Sequence, residues 1–174
     1  MKIVVISGSP RKDGLTQVIM KHVFEYAKTK SSDTELINLS EGNIECYRGY
    51  DEDYNDTTKK AALDLMDADI WLIGTPIYNS FFSAALKNLF EYVNYKKTEG
   101  KVAGMAILAS GNIGFTNVQT LLTQLLSYFR VIANPKAVFL TTESISDGVI
   151  KDDAKVRLEK MVDETLELAS KVIK

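Results

Sequence analysis

Blocks of apolar and polar residues alternate along this chain and predict strands and helices in turn. Unbroken apolar runs such as residues 3–6 and 70–73 are typical of strands covered on both faces. Between these runs, apolar residues recur at helical spacing. The predicted strands are residues 3–6, 36–39, 70–73, 102–108 and 137–140. The predicted helices are residues 15–28, 58–67 (capped by Asp56 or Thr57), 83–95, 115–129 and 152–173.

Five strands alternating with five helices predict a parallel sheet with right-handed crossovers and helices on both faces, an α/β fold. A length of 174 residues without repeats or linkers fits one domain, residues 1–174. Ligands of such folds bind beyond the carboxyl ends of the strands. The loops that leave the first, third and fourth strands, residues 7–15, 75–82 and 110–114, are therefore the predicted site.

Composition and charge narrow the possible partners. The net charge of −2 comes from interspersed acids and bases, so we expect no nucleic-acid partner held by a basic field. Residues 102–129 carry no charge but contain many polar residues, so we expect no membrane span. The single cysteine, Cys46, cannot form an internal disulfide or a cysteine-rich metal site, which fits a cytoplasmic protein.

The first loop carries the groups that a terminal phosphate needs. Residues 7–16 join a buried strand to a helix N-terminus, whose unpaired N–H groups attract anions. Ser9 and Thr16 add hydroxyl donors, and Arg11 adds a forked cation. Gly8 and Gly14 permit close turns. This loop is predicted to hold a phosphomonoester, and the competing interpretation is an ordinary polar turn.

Two well-known phosphate motifs do not match this loop. A Walker A loop requires lysine after its second glycine, but Leu15 follows Gly14, and five residues rather than four separate the two glycines. A dinucleotide fingerprint requires three glycines at G-x-G-x-x-G spacing, and only Gly8 is in place. A nucleoside triphosphatase and a simple dinucleotide site are therefore not predicted.

The second and third loops offer groups suited to a planar heterocycle. Pro76 stiffens the second loop, and the backbone of residues 77–80 offers hydrogen bonds to a ring edge, with Tyr78 able to pack against it. Phe81 and Phe82 are interpreted as interface or core residues. The third loop offers small and polar residues before another helix N-terminus. Its candidate binding residues are Ser110, Gly111 and Asn112.

These three loops together resemble the NADPH-dependent FMN reductase family of the flavodoxin-like superfamily. The segments that carry the resemblance are residues 8–16, 76–80 with 86–88, and 110–114. It implies a three-layer flavodoxin-like sandwich of strand order 2-1-3-4-5, bound FMN, and a homodimer or homotetramer. Carried over residue by residue, it implies a phosphate site and a ring site. The predicted cofactor-binding residues are Ser9, Arg11, Leu15, Thr16, Pro76, Ile77, Tyr78, Asn79, Ser80, Ser110, Gly111 and Asn112.

One branch of relatives, the iron–sulfur flavoproteins, is similar in the first loop but differs after the second strand. That branch has a compact cysteine motif where this chain has Cys46 followed by Gly49 and Tyr50. One thiolate cannot hold a cluster that takes about four. We therefore expect FMN without an iron–sulfur cluster and without another metal. A second departure is Phe115, where many relatives have a glycine; it is expected to narrow the flavin's rim or shift specificity.

The resemblance implies an enzyme whose chemistry belongs to the flavin. NADPH or NADH would reduce it, and a quinone, azo or nitro compound, metal oxyanion, free flavin or protein would take the electrons. Backbone N–H groups of Asn79 or Ser80 are expected to stabilise developing charge, and no side chain is assigned as catalytic. The alternatives are a flavodoxin-like electron carrier and a nucleotide-binding regulatory module without chemistry.

Three other features have alternative interpretations. His22, the only histidine, is predicted to be a packed structural residue, because it lies beside the apolar stripe of its helix. Cys46 is interpreted as an incidental thiol. Tyr47, Tyr50 and Tyr54 cover the flavin, cover a subunit interface, or anchor their own loop, and the sequence does not separate these roles.

Overall fold

A computed structural model describes residues 1–173, so Lys174, the last residue of the predicted domain, lies outside the described residues. Five helices and eight strands follow one another along the chain. The helices are α1 (Leu15–Lys30), α2 (Asp56–Asp67), α3 (Ala84–Glu91), α4 (Phe115–Tyr128) and α5 (Asp152–Val172). The strands are β1 (Ile3–Ser7), β2 (Thr34–Asn38), β3 (Ile70–Pro76), β4 (Val102–Ala109), β5 (Ile132–Ala133), β6 (Val138–Thr141), β7 (Ile145–Ser146) and β8 (Val149–Ile150).

The central sheet is parallel and has the order β2-β1-β3-β4, with β5 and β6 both beside β4. The strand order reverses between β1 and β3, so the chain returns across the sheet at that point. The predicted order 2-1-3-4-5 is confirmed. The carboxyl ends of β1 and β3 lie side by side, since Ser7 pairs with Gly74.

Alternate residues of each strand enter two separate cores, which makes the fold a three-layer sandwich. Val4, Ile6 and Trp71 pack on the side of α2, α3 and α4. Ile3 and Val5 pack on the opposite side, against α1 and α5. The central strands are buried on both faces, as their unbroken apolar runs predict. The predicted helices on both faces are confirmed.

The fifth strand position is filled by two short strands instead of one. Residues Ile132 and Ala133 pair with the start of β4, and β6 pairs with its end. Residues 134–137 separate the two strands. The backbone N–H of Asn134 donates to Ala103 and its side chain accepts from Lys136, so the chain leaves the ladder through a local turn. The prediction of one strand there captured only the second piece.

Several predicted boundaries also differ from the structure. Strand β3 extends beyond its predicted end at residue 73, because Gly74, Thr75 and Pro76 continue the pairing with β4; residues 75 and 76 had been predicted as loop. Helix α2 is capped by the side chain of Asn55, not by Asp56 or Thr57 as predicted, because its amide oxygen accepts from Thr58 N at 2.8 Å. Helix α3 begins after Ser83 and ends at Glu91, so residues 92–95, predicted as helix, lie beyond it.

The described helices contain none that is both long and apolar enough to cross a membrane. The longest, α5, is amphipathic and packs one face on the sheet. Ala154 and Leu158 on its inner face are buried, whereas Val172 at its end is exposed.

Candidate functional site

The three predicted loops meet around one cavity at the carboxyl edge of the sheet. Its volume is about 290 Å³. Segments after β1, β3, β4 and β6 contribute to its walls, as the strand-order reversal predicts. The lining residues are Ser9, Arg11, Gly14, Leu15, Thr16, Pro76, Ile77, Tyr78, Leu108, Ala109, Ser110 and Thr142.

The predicted residues divide into those that line this cavity and those that lie outside its walls. Asn79, Ser80, Gly111 and Asn112 are exposed and do not line it, whereas the other eight predicted residues do. The list of predicted binding residues omitted Gly14, Leu108, Ala109 and Thr142. Thr142 follows the last strand of the sheet, so the rule that parallel strands end at one edge could have identified it.

The start of α1 leaves donors open at the cavity. Its N-cap residue, Gly14, provides no side-chain cap, and no acidic residue occupies the first turn. Within residues 1–173, the backbone N–H groups of Leu15 and Thr16 and the Thr16 hydroxyl donate to no protein acceptor. Thr16 is nevertheless buried. A helix start of this kind offers its free donors to an external partner, and an anion suits it.

The starts of the other helices differ from that of α1 in their caps or in their distance from the cavity. The start of α4 also has a glycine cap, Gly114, and no acid in its first turn, but none of its residues lines the cavity. Helix α5 lacks a side-chain cap but carries Asp152 and Asp153 in its first turn, which neutralise the positive helix end. Helix α1 therefore combines an uncapped, acid-free start with residues that line the cavity.

Close backbone contacts fix the position of the first loop. Gly8 N donates to Gly74 O at 2.8 Å, and a Cβ atom at Gly8 would lie 2.6 Å from the same oxygen. Ser83 Oγ donates to Gly8 O and accepts from Leu86 N at 3.0 Å. The hydroxyl groups of Ser9 and Tyr78 lie 3.3 Å apart and join the first loop to the second.

The second loop ends in a tight hairpin turn. Tyr78 and Phe81 exchange two backbone hydrogen bonds of 2.8 and 3.0 Å. Asn79 and Ser80 between them have φ of 49° and 66°, a left-handed pair typical of a type I′ turn. The N–H of Ile77 donates to Leu108 O. Of the backbone donors predicted at residues 77–80, only those of Asn79 and Ser80 lack an acceptor within the described chain.

A larger groove, about 770 Å³ in volume, lies beside this cavity and shares Tyr78 with it. We call it the aromatic groove. Its walls come from the turn after β3, the outer side of α3 and the loop after β2. The residues that line it are Tyr47, Tyr78, Asn79, Phe81, Phe82, Ala84, Lys87, Asn88 and Glu91. Sequence reasoning did not identify this groove as a site.

Helix α3 holds the wall that Tyr47 forms. Asn88 accepts from Tyr47 N at 2.9 Å and donates to Glu45 O at 2.7 Å, so both ends of its amide are used. The Tyr92 hydroxyl also donates to Glu45 O, at 2.7 Å. These contacts join residues that are more than forty positions apart in the chain. The loop after β2 is thereby fixed against α3.

The tyrosines of this loop form a cluster with Tyr92. The Tyr54 ring is 8% exposed, and its hydroxyl accepts from Arg48 N and donates to Gly49 O. It contacts the Tyr92 ring edge-to-face, with centroids 4.8 Å apart. The sequence left open whether these tyrosines cover the flavin, cover a subunit interface or anchor their own loop. In the structure, Tyr54 anchors the loop. Tyr50 is 80% exposed and Tyr47 lines the aromatic groove.

Burial perturbs two of these phenols. Desolvation, followed by the nearby Tyr54, raises the pKa of Tyr92 to about 12. Desolvation, followed by Tyr50, raises the pKa of Tyr47 from its ordinary value near 10. Both tyrosines therefore stay neutral through the physiological range, and the cluster acts as an uncharged aromatic surface.

His22 and Cys46, for which no role in the site was predicted, do not line the cavity. His22 lies between α1 and α5, with Nε2 3.0 Å from a Glu159 carboxylate oxygen, on the opposite face of the sheet from the aromatic groove. Its side chain is 25% exposed, so it is less deeply packed than predicted. Cys46 is exposed. No group of three or more potential metal ligands of the His, Cys, Asp or Glu type occurs within residues 1–173.

Comparison with known proteins identifies the family. Residues 1–144 match the model of the NADPH-dependent FMN reductases. The chain belongs to this family. It is therefore a flavin-dependent oxidoreductase with FMN as cofactor and a reduced nicotinamide as donor, as expected from the resemblance of its loops.

Curated relatives span nearly the whole chain. An NADPH azoreductase of Bacillus sp. (strain OY1-2) is 30% identical over 165 residues, which are 94% of this chain and 90% of the relative. An NAD(P)H-dependent FAD/FMN reductase of Geobacillus thermodenitrificans (strain NG80-2) is 28% identical over 160 residues, 90% of this chain and 86% of that protein. These reductases differ in the acceptors that their names give.

Solved structures support the fold. The flavoenzyme NAD(P)H:(acceptor) oxidoreductase (FerB) from Paracoccus denitrificans superposes with a TM-score of 0.77 at 23% identity and covers 98% of both chains. An archaeal flavodoxin superposes with a TM-score of 0.69 at 11% identity, covering 98% of this chain and 99% of that one. At these identities the likeness establishes the flavodoxin-like architecture only.

Proposed function

We propose that this family member is a single-domain NAD(P)H oxidoreductase, residues 1–174, that passes electrons through bound FMN to a small acceptor molecule. The acceptor classes are quinones, azo and nitro compounds, metal oxyanions and free flavin. The observation that carries this proposal is the buried, uncapped start of α1. It faces the cavity with free donors and with Arg11 at its rim.

The residues fit FMN in two parts. In the phosphate part, Arg11 supplies charge, Ser9 and Thr16 supply hydroxyls, and Leu15 and Thr16 supply backbone N–H groups. Arg11 has no carboxylate within ion-pair distance in the described chain, so its charge is available to a ligand. We propose that these residues hold the terminal phosphate.

The ring part is more apolar. Pro76, Ile77 and Tyr78 provide a flat wall, and the free N–H groups of Asn79 and Ser80 lie at its outer end. Across the cavity stands the loop after β4. We propose that the ring system lies between these two loops, with its far edge against Ser110, Gly111 and Asn112.

Bound FMN would supply two-electron and one-electron chemistry between the nicotinamide and the acceptor. The chain's own contribution is binding and orientation. The free N–H groups of Asn79 and Ser80 are positioned by a rigid turn, so they can stabilise negative charge on a ring edge without rearrangement. No side-chain acid or base is required, which agrees with a cavity lining that lacks carboxylates and histidine.

We also propose a cytoplasmic location and assembly as a homodimer or homotetramer, without nucleic-acid or membrane partners. The support is general: a small net charge of −2, a single exposed cysteine and several exposed apolar side chains that a second copy would cover. Light scattering of the FMN-loaded protein would give the assembly size directly.

Reduction of the bound cofactor tests the proposed function. NADPH and NADH are added separately, without oxygen, to the FMN-loaded protein while flavin absorbance is recorded. Rapid bleaching by either donor is expected. A flavin that stays oxidised would indicate a carrier that is reduced by another protein. A protein that cannot be loaded with FMN at all would contradict both functions and leave a regulatory module.

A further inference from the structure

The aromatic groove opens next to the cavity in which the proposed flavin lies. Tyr78 lines both spaces, so a molecule in the groove would adjoin a ligand in the cavity. Its volume of about 770 Å³ lies within the range of about 300–1,000 Å³ that is common for small-molecule sites. The position and size suit a second ligand.

The lining determines what kind of molecule fits. The Phe81 and Phe82 rings lie with centroids 6.0 Å apart, and Tyr47 faces them from the loop after β2. Phe81 is 53% exposed, so its ring offers the groove an aromatic surface that a ligand can reach. Aromatic walls of this kind stack on planar rings.

The charges of the groove argue against a polyanion. Among its lining residues, Lys87 and Glu91 carry charge, and they form an ion pair with each other across one helical turn. NADPH carries several phosphate charges and requires unpaired cations at its site. A groove without net charge instead favours a neutral ring compound.

We propose that the aromatic groove binds the electron acceptor, and that this acceptor is a neutral planar aromatic molecule such as a quinone. The inference rests on the proposed function and specifies its substrate. Overall, the quinone gains a hydride equivalent from the nicotinamide donor and a proton from water, and leaves as the hydroquinone. The donor leaves oxidised, so electrons and protons balance.

The walls of the groove are held in place before any ligand arrives. Asn88 fixes the backbone of Tyr47, and the paired backbone hydrogen bonds between Tyr78 and Phe81 fix the opposite wall. A preformed site loses little free energy in ordering side chains around its ligand. Asn88 is thus a positioning residue for the acceptor site, acting through Tyr47.

Binding of redox-inert probes tests the site without turnover. The oxidised, FMN-loaded protein is titrated by calorimetry with neutral 2-naphthol and, separately, with anionic 2-naphthalenesulfonate. We expect 2-naphthol to bind more tightly than the sulfonate. Phe81→Ala and Tyr47→Ala should each weaken 2-naphthol binding by about tenfold, the usual value of one good aromatic contact. Asn88→Ala should weaken it in the same direction.

Tyr128→Ala provides a matched control, because Tyr128 is also an exposed aromatic residue (64% exposed) but lies outside the groove. It should leave 2-naphthol binding unchanged. In steady-state assays, Phe81→Ala and Asn88→Ala should raise KM for 1,4-naphthoquinone. Both should leave KM for NADPH and the rate with ferricyanide, a small inorganic acceptor, at wild-type values. A general structural defect would change all three.

Three results would overturn the proposal, and the third concerns the assembly. One is equal 2-naphthol affinity in the wild type and Phe81→Ala. Another is an increase in KM for NADPH in place of the quinone, which would make the groove a dinucleotide site. If Phe81→Ala also lowers the molar mass in light scattering and 2-naphthol does not bind, the groove is a subunit contact. Failure of both NADPH and NADH to bleach the flavin would reject the proposed function, whereas the probe titration is independent of it.

Discussion

Two neighbouring helix starts at the carboxyl edge of the sheet differ in whether their backbone N–H groups have acceptors within the protein. The start of α3 is closed by the protein: Ser83 accepts from Leu86 N, donates to Gly8 O, and is fully buried. The start of α1 is open, with a glycine cap and free N–H groups on Leu15 and Thr16. Both helices follow central strands of the same sheet.

The difference shows that α3 has a structural role, whereas the start of α1 is available to bind a ligand. Helix α3 and the residues that flank it fix the first loop and the loop after β2 through the side chains of Ser83, Asn88 and Tyr92. With its surroundings held in this way, the start of α1 can keep unpaired donors without the loop rearranging to satisfy them. Rigid surroundings make a preorganised anion site possible.

The largest expected effect comes from opening the closed helix start. Ser83→Ala removes the α3 cap, which costs about 0.5–2 kcal/mol, and leaves the buried Gly8 carbonyl without its donor, which costs about 1–3 kcal/mol. We expect the free energy of unfolding of the FMN-free protein to fall by about 2–4 kcal/mol. Urea denaturation measures it. Ser127→Ala, at an exposed helical serine, is the control and should be neutral.

The next largest effect is expected when the positive charge near the open start of α1 is removed. Arg11→Ala deletes the cation at the rim of the cavity, and a hydrogen bond to a charged group is worth about 1.5–3 kcal/mol. The FMN dissociation constant should therefore rise by about one to two decades. Fluorescence titration of apoprotein with FMN measures it. Lys12→Ala, one residue further along the same exposed loop, should change it far less, and equal losses in both variants would show that the phosphate lies elsewhere.

The fold was largely predictable from the sequence because the buried central strands appear in it as continuous runs of apolar residues. The runs at residues 3–6, 70–73 and 102–108 are typical of covered strands, and their alternation with helices implies a parallel sheet. The split fifth strand was not predictable. Ile132–Ala133 is only two residues long, and it pairs because Asn134 hydrogen-bonds back to β4, a contact far apart in sequence.

The candidate site was predictable in part for a similar reason. The first loop concentrates its donors within eight residues, from Ser9 to Thr16, so local reading identifies it. The aromatic groove depends on Tyr47 and Phe81, which lie far apart in the sequence. Asn88 helps to bring them together, because it holds the backbone of Tyr47 at the groove. The tertiary contacts of Asn88 leave no local pattern in the sequence.

A smaller effect is expected from removing the Thr16 hydroxyl at the start of α1, which can be compared with the Ser83 hydroxyl at the start of α3. Thr16→Val keeps the side-chain shape but removes a hydroxyl that makes no hydrogen bond within the described chain, unlike that of Ser83. The FMN-free protein should keep its stability, whereas FMN affinity should fall by about 0.5–1.5 kcal/mol, the value of one hydrogen bond. The two measurements are urea denaturation and FMN titration. A loss of stability with unchanged FMN affinity would contradict the distinction between open and closed starts.

An effect of the same size is expected at Tyr92, just beyond the C-terminal end of α3. Tyr92→Phe removes the hydroxyl that donates to Glu45 O at 2.7 Å, so the free energy of unfolding should fall by about 0.5–1.5 kcal/mol near neutral pH. Because burial raises the pKa of Tyr92 to about 12, this phenol stabilises the folded state fully below pH about 10. That contribution is lost as the pH rises through about 12.

Wild type and Tyr92→Phe should therefore converge in stability between about pH 10 and 12, when urea midpoints are compared across that range. Phenolate absorbance should show one late-titrating tyrosine in the wild type that the variant lacks. Tyr50→Phe is the control, since Tyr50 is 80% exposed and forms no backbone anchor. A constant stability difference over this pH range would mean that the Tyr92 hydroxyl does not hold the loop after β2 against α3.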